Sequence, residues 1–377
     1  MKTLLEKLIA IKSYSGEEKE LRDFIASWLK GNKIKNFVQG DNLVVHLKGK
    51  NSLAAFIFNS HMDTVSAGDT KSWETNPWKA TREGNRMVGL GTSDMKAGLA
   101  ASLLTCAAFS KSVPPIDLWF TYVVREEQDG SGSLDFAKWF KKEGYVKKYK
   151  RIGGIFSEPT GLSEIEHGHR GNIFLWARTR GDSGHASRPK DIAIHSVKKM
   201  VKFADTLEKE IDKWAKEYRS NVFDPPSVGV FTSINAGVIA GKDSIVVESP
   251  NKFPASCSAS FDIRTVPGFH EIALSRVKAL AKKMEVEVGL LFPIAPCGFT
   301  DPKDNLVRVV KKLVGKVKLT VSQGSADMGF LSDIGVKAMI FGPGEKRQSH
   351  MVNEYCYPDQ VEKAVVLYKQ IVENWIS

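Results

Sequence analysis

The 377-residue chain is poor in cysteine: Cys106, Cys257, Cys297 and Cys356 are far apart, and no C-x-x-C occurs. That pattern carries no disulfide framework and reads as reduced, mostly buried thiols in a cytosolic protein. No apolar run approaches the roughly 20 residues of a membrane span, so no membrane partner is expected. There is no internal repeat and no low-complexity linker. A signal-peptide core is also missing, because acidic residues interrupt the apolar positions of "MKTLLEKLIAIKSYSGEEKELRDFIASWL" at helical spacing. Net charge is +11, yet pairs such as Lys198-Lys199, Lys282-Lys283 and Lys311-Lys312 lie on helix-like segments without interleaved aromatics. A nucleic-acid partner is therefore not expected. The dispersed positive charge instead sets up a long-range field that favours small anionic substrates.

What is present suggests two domains. "LAAFIFNS", "DLWFTYVV", "IGGIFSEP" and "VKAMIFGPG" are short apolar runs of the kind buried on both faces of a parallel sheet. Helical patterns lie between them, over Asp94–Ser110 and from Asn305 to Val317. This order indicates an α/β domain with a mainly parallel central sheet. The middle of the chain differs. "GNIFLWARTRG", a long amphipathic helix from about Ile192 to Arg219, "SVGVFTSINAG", "CSASFDIRTVP", a helix over Glu271–Met284 and "EVEVGLLFP" run β-α-β-β-α-β, the ferredoxin-like order. The expected organisation is a domain from 1–170 that resumes over 294–377, with an α+β domain inserted at 171–293.

Ligands of open α/β sheets bind at the carboxyl ends of the strands. His61 and Asp63 follow "FIF", Glu126 and Glu127 follow "WFTYVV", Glu158 follows "GIF", and His350 comes a short loop after "MIFGPG". Asp94 stands where the glycine-rich turn "GLGTSDMKAG" enters a helix. One sheet edge thus collects two imidazoles and several carboxylates, a donor set that suits Zn²⁺ or a similar divalent ion and is large enough for two ions sharing a bridge. Asp63 is placed to accept the proton of the second ring nitrogen of His61 and so fix its tautomer. Glu126 and Glu127 point in different directions if extended, so one can bind metal while the other deprotonates a water.

"SHMDTV", "GTSDMKAG", "EEQDGSGS", "SEPTG", "GHASRP" and "SHMVNE" resemble, in this order, the motifs of the M20 family of zinc aminoacylases and peptidases. The likeness is nearest to the branch of succinyl-diaminopimelate desuccinylases and acetylornithine deacetylases. It implies a zinc-exopeptidase-like catalytic domain carrying an inserted lid and dimerisation domain, in a cytoplasmic homodimer. It implies two divalent ions, zinc with cobalt or manganese as substitutes. His61 and Glu158 would bind one, Glu127 and His350 the other, and Asp94 both. Glu126 would be the general base, with Asp63 supporting His61. His185 in "SGHASRP" would donate to the oxyanion in the partner's site, while Asn251 and Arg264 would bind substrate. The implied substrate is an N-acyl amino acid, first N-succinyl-L,L-diaminopimelate, with acetylornithine or a di- or tripeptide as alternatives. Two positions depart from the family pattern: Leu90 replaces the usual Arg between two glycines, and Arg125 precedes the Glu pair.

Overall fold

A computed structural model describes residues 3–219, 221–223, 228–236 and 251–376. Ser227 and Gly237, which bound the expected strand "SVGVFTSINAG", and Ser249-Pro250 before Asn251 lie outside the described residues. The chain divides into two compact units. One comprises Met1–His169, Gly298–Ser322 and Ala326–Ser377, the other Arg170–Cys297 with Gln323–Ser325.

A nine-stranded sheet runs through the first unit. Four of its strands, Ile116–Val123, Asn51–His61, Arg151–Phe156 and Lys337–Ile340, lie side by side and parallel. Antiparallel neighbours flank them, Asn42–Leu47 on one side and Glu164–His169 on the other. The apolar runs form these strands because both faces are covered. On one face Phe58 stacks on Phe120 and tilts against Tyr368 while Phe56 meets Trp375 edge-on, burying the inner sides of helices Ala97–Phe109 and Pro358–Trp375. On the other face Trp119 meets Trp139, Phe140 and Tyr145 edge-on.

Two helices are shorter than their sequence pattern. The pattern from Asp94 becomes helix only at Ala97, because Asp94 and Met95 hold non-helical backbone angles in a turn over Thr92–Lys96. The pattern from Asn305 stops at Val314, where Gly315 takes φ 80° and breaks the ladder.

The second unit contains a four-stranded antiparallel sheet in the order Val228–Ala236, Ser256–Thr265, Gly171–Arg180, Glu287–Leu290. Helices Ser196–Lys216 and His270–Lys283 complete a β-α-β-β-α-β succession. The strict alternation of burial along Ser256–Thr265 is that of a sheet with one covered face. His195 caps the first helix, its ring accepting the Lys198 N–H, which starts the helix at Ser196 rather than Ile192.

Candidate metal centre

Parallel strands bring their carboxyl ends to one edge, and registry does the rest. His61 pairs with Val123, and Asn59 with Phe156. His61 therefore lies level with the turn carrying Glu126 and Glu127 and close to Glu158. His61 is 2% exposed. Its Nδ1 lies 2.9 Å from the backbone oxygen of Asp63, an acceptor only. Nδ1–H therefore donates to that oxygen, and Nε2 is the ring nitrogen that faces the acid cluster. Nε2 lies 3.1 Å from Asp94 Oδ1 and 3.6 Å from Glu158 Oε1. Across the cluster, His350 Nε2 lies 2.8 Å from Glu127 Oε2 and 3.7 Å from Asp94 Oδ2. Asp94 thus turns one oxygen toward each imidazole. Donor atoms of His61, Asp94 and Glu158 all lie within 4.8 Å of one another, as do those of Asp94, Glu127 and His350, and of His61, Glu126 and Glu127.

Asp63 does more than orient one ring. Its carboxylate is farther from His61 Nδ1, at 3.4 Å, than its own carbonyl oxygen is. The carboxylate accepts from Ser15 Oγ at 2.7 Å, from the Glu126 N–H at 3.2 Å and from the Glu127 N–H at 3.0 Å. Glu18 holds the same turn by accepting the Arg125 N–H. The Arg125 side chain points to Asp41, with Nη2 donating at 2.8 Å. Leu90 is buried with Ala67 and Trp73.

The electrostatics describe an acid cluster short of cations. Burial, with Asp327, Glu158 and Glu127 adding, pushes Glu126 well above the usual carboxylate range against the pull of His61. Burial lifts Glu158 to about 7 against the same imidazole. Burial would lower His61, but Glu158, Asp63 and Asp94 outweigh it and raise the ring well above its ordinary value. His350 is held up to about 9 by its hydrogen bond to Glu127. Lys96, buried nearby and lowered to about 7 by that burial, donates from Nζ to the carbonyls of Leu8 and Ile11. The Oε1 of Glu127 is buried without a hydrogen-bond partner. A buried acceptor left open among crowded carboxylates fits a divalent cation.

The other three sequence candidates belong to the second unit. His185 is exposed, and its Nδ1 accepts the Ser187 N–H at 3.2 Å. Asn251 Nδ2 lies 3.5 Å from His185 Nε2, so these two come together beside the paired strands Gly184–His185 and Lys252–Phe253. Arg264 is half-buried, with Nη2 donating to Asp262 at 2.9 Å and Nη1 to Ser325 Oγ at 3.2 Å.

Sequence reasoning passed over Ser15, Glu18, Asp327 and Glu354. Two had a signal. Asp327 stands in "QGSADMGF", a glycine-led turn into a helix like that of Asp94, and is 3% exposed. Burial raises it to about 8. Glu354 closes the quoted motif "SHMVNE" and is 1% exposed.

Residues 57–374 match the model of peptidase family M20/M25/M40. The chain belongs to that family, and is accordingly a hydrolase of amide bonds. It is 27% identical over 369 residues to an acetylornithine deacetylase of Buchnera aphidicola, covering 91% of this chain and 90% of the relative. It is 28% identical over 343 residues to a succinyl-diaminopimelate desuccinylase of Magnetococcus marinus, covering 87% and 84%. The fold is similar to that of an M20 family metallo-carboxypeptidase from Sulfolobus solfataricus, with a TM-score of 0.73, 17% identity and 98% of each chain covered. A dinuclear metal-binding M20 peptidase from Bacillus subtilis gives 0.69 at 13% identity, covering 98% of this chain and 95% of that one.

Proposed function

We propose that this hydrolase is a metal-dependent deacylase of N-acyl amino acids, with N-succinyl-L,L-diaminopimelate as its substrate. The observation that carries the reading is Asp94, whose two oxygens face the imidazoles of two separate donor sets. His61 and Glu158 would hold one divalent ion, Glu127 and His350 a second, and Asp94 both. Zinc is the proposed ion, with cobalt or manganese able to substitute. Bound there, two ions would supply Lewis-acid polarisation of the amide oxygen and acidify a water.

The chain's own residues supply the rest. Glu126 takes the proton of the attacking water and returns it to the departing amine. Asp63 fixes the backbone of the Glu126-Glu127 turn. His185 donates from its ring to the oxyanion of the tetrahedral intermediate. Asn251 stands beside it at the substrate. Arg264 binds the α-carboxylate with the N–H groups of its guanidinium not taken by Asp262 and Ser325. Residues 171–293 act as a lid and dimerisation domain between 1–170 and 294–377, and the homodimer works in the cytoplasm. No described helix is long and apolar enough to cross a membrane.

Two considerations favour the succinyl substrate: a relative bearing that activity at 28% identity, and the net charge of +11, which favours a substrate with several carboxylates. Acetylornithine deacetylation is the second reading, since a relative so named is 27% identical over most of the chain. The test is hydrolysis of N-succinyl-diaminopimelate, N-acetylornithine and a set of di- and tripeptides by protein loaded with Zn²⁺, Co²⁺ or Mn²⁺. The highest kcat/KM is expected on the succinyl compound. A preference for either other class replaces the assignment.

A further inference from the structure

Asp94 does not sit on a helix, although the residues after it do. Its backbone angles and those of Met95 are non-helical, so the turn that carries it has no regular ladder of its own. Gly91 enters this turn at φ 72°, and a Cβ there would meet Thr64 Cγ2 at 2.5 Å. Something other than secondary structure must hold the amides of Gly91, Ser93 and Asp94.

Glu354 supplies the acceptors. Its Oε2 takes the Gly91 N–H at 2.7 Å, and its Oε1 takes the N–H groups of Ser93 at 2.7 Å and Asp94 at 2.8 Å. The main chain beside it is engaged as well. Gly89 N–H donates to the Glu354 carbonyl at 2.9 Å, and Ser93 Oγ–H to the Tyr355 carbonyl at 2.6 Å. Strand Tyr355–Cys356 pairs with Arg86–Val88 just ahead of the turn. His350 lies only four residues upstream, outside any helix or strand and at φ 64°. The stretch from His350 to Glu354 thus carries a ring facing Asp94 Oδ2 at one end and the clamp on Asp94's own backbone at the other.

We propose that Glu354 is a positioning residue that sets Asp94 between the two donor sets and ties its place to that of His350. The proposal rests on the metal-centre reading above. A carboxylate is needed because all three partners are N–H donors. Carboxylate oxygens make stronger bonds to such donors than an amide oxygen does. A glutamine offers one acceptor oxygen and would turn its NH₂ toward at least one donor. Support of this kind typically changes metal affinity by about 10–100-fold when removed.

The experiment titrates Co²⁺ into chelator-treated full-length protein, read by equilibrium dialysis and by visible absorption, which reports ligand geometry. Glu354→Gln is compared with wild type and with Asp117→Asn, a buried substitution at the far end of the Ile116–Val123 strand that controls for lost stability. Expected is Co²⁺ binding about tenfold weaker or more with a changed spectrum in Glu354→Gln, and wild-type affinity in Asp117→Asn. Glu354→Asp, which keeps the charge with a shorter reach, is expected to fall between the two. Wild-type affinity and spectrum in Glu354→Gln would overturn the proposal. Should that variant not fold, wild-type binding by Glu354→Asp would overturn it instead. Equal weakening in Asp117→Asn would reduce the effect to stability and overturn it too. Absence of Co²⁺ binding by wild type would overturn the metal-centre reading itself.

Discussion

The carboxylate of Asp63 accepts the backbone N–H of Glu127 at 3.0 Å. With the Glu126 N–H and the Ser15 hydroxyl on the same carboxylate, three donors converge on one buried anion. The turn bearing the proposed base is thereby fixed to the end of the strand bearing His61. Asp63→Asn would set an NH₂ group against one of those donors. We expect kcat to fall by about 10–100-fold with the protein still folded. Parallel measurement of kcat and bound metal checks this, and unchanged kcat would reduce Asp63 to a purely local contact.

Glu126→Gln keeps the shape of the side chain and removes its ability to take a proton. A general base contributes about 10²–10⁴-fold, so turnover should fall by at least about 10²-fold while bound metal stays at the wild-type level. Loss of metal along with turnover would make Glu126 a ligand instead.

Much of this arrangement was legible in the sequence. Phe56, Phe58, Phe120 and Ile155 lie in runs too continuous for a half-exposed strand, and burial on both faces requires helices on both sides. Parallel strands then have to deliver His61, Glu126, Glu127 and Glu158 to one edge. The grip on Asp94 was not legible, because the N–H of Asp94 and the carboxylate of Glu354 are 260 residues apart. Nor was the delayed helix start at Ala97. Local spacing from Asp94 onward is helical, and the turn departs from it where Glu354 satisfies the backbone groups that a helix would have used. Ser15 gave no signal, since an isolated serine near the N-terminus has no periodicity to betray a contact with Asp63.

At the opposite end of the sheet, Asp117 is fully buried and accepts from the Gly49 N–H, Lys148 Nζ and Tyr149 Oη. Burial alone would raise its carboxyl, but these donors outweigh it and hold it below the usual range. A depressed folded-state value stabilises the fold above the unfolded value, about 3.9, and the contribution is lost as pH falls through the folded value. Asp117→Asn should therefore cost about 1–3 kcal/mol near neutral pH, and the difference from wild type should shrink below about pH 4. Urea unfolding at pH 7 and pH 3.5 measures both. A constant difference would show that the charge of Asp117 is not what stabilises.

His185 offers the sharpest test of the proposed dimer. Its Nδ1 lies 2.7 Å from Ser187 Oγ and its Nε2 3.5 Å from Asn251 Nδ2, and the ring is exposed. A donor aimed at a developing oxyanion is worth about 2.7–4 kcal/mol, so His185→Ala should lower kcat by about 10²–10³-fold. Among the imidazoles of the first unit, His61 and His350 are committed to the acid cluster. His46 stacks on Trp119 beside Asp117, His167 sits against the Thr300 carbonyl, and His169 is fully buried at the end of the strand Glu164–His169. If His185 serves the partner's site, two defective chains should repair each other. His185→Ala and Glu126→Ala would each be nearly inactive alone. Unfolded together and refolded at equal ratio, half of the chains would assemble as mixed dimers, each with one site combining an intact Glu126 and the partner's His185. Activity well above either parent is expected. Mixed dimers that form, as shown by differential tagging, yet stay inactive would place His185 on its own chain's site or outside catalysis.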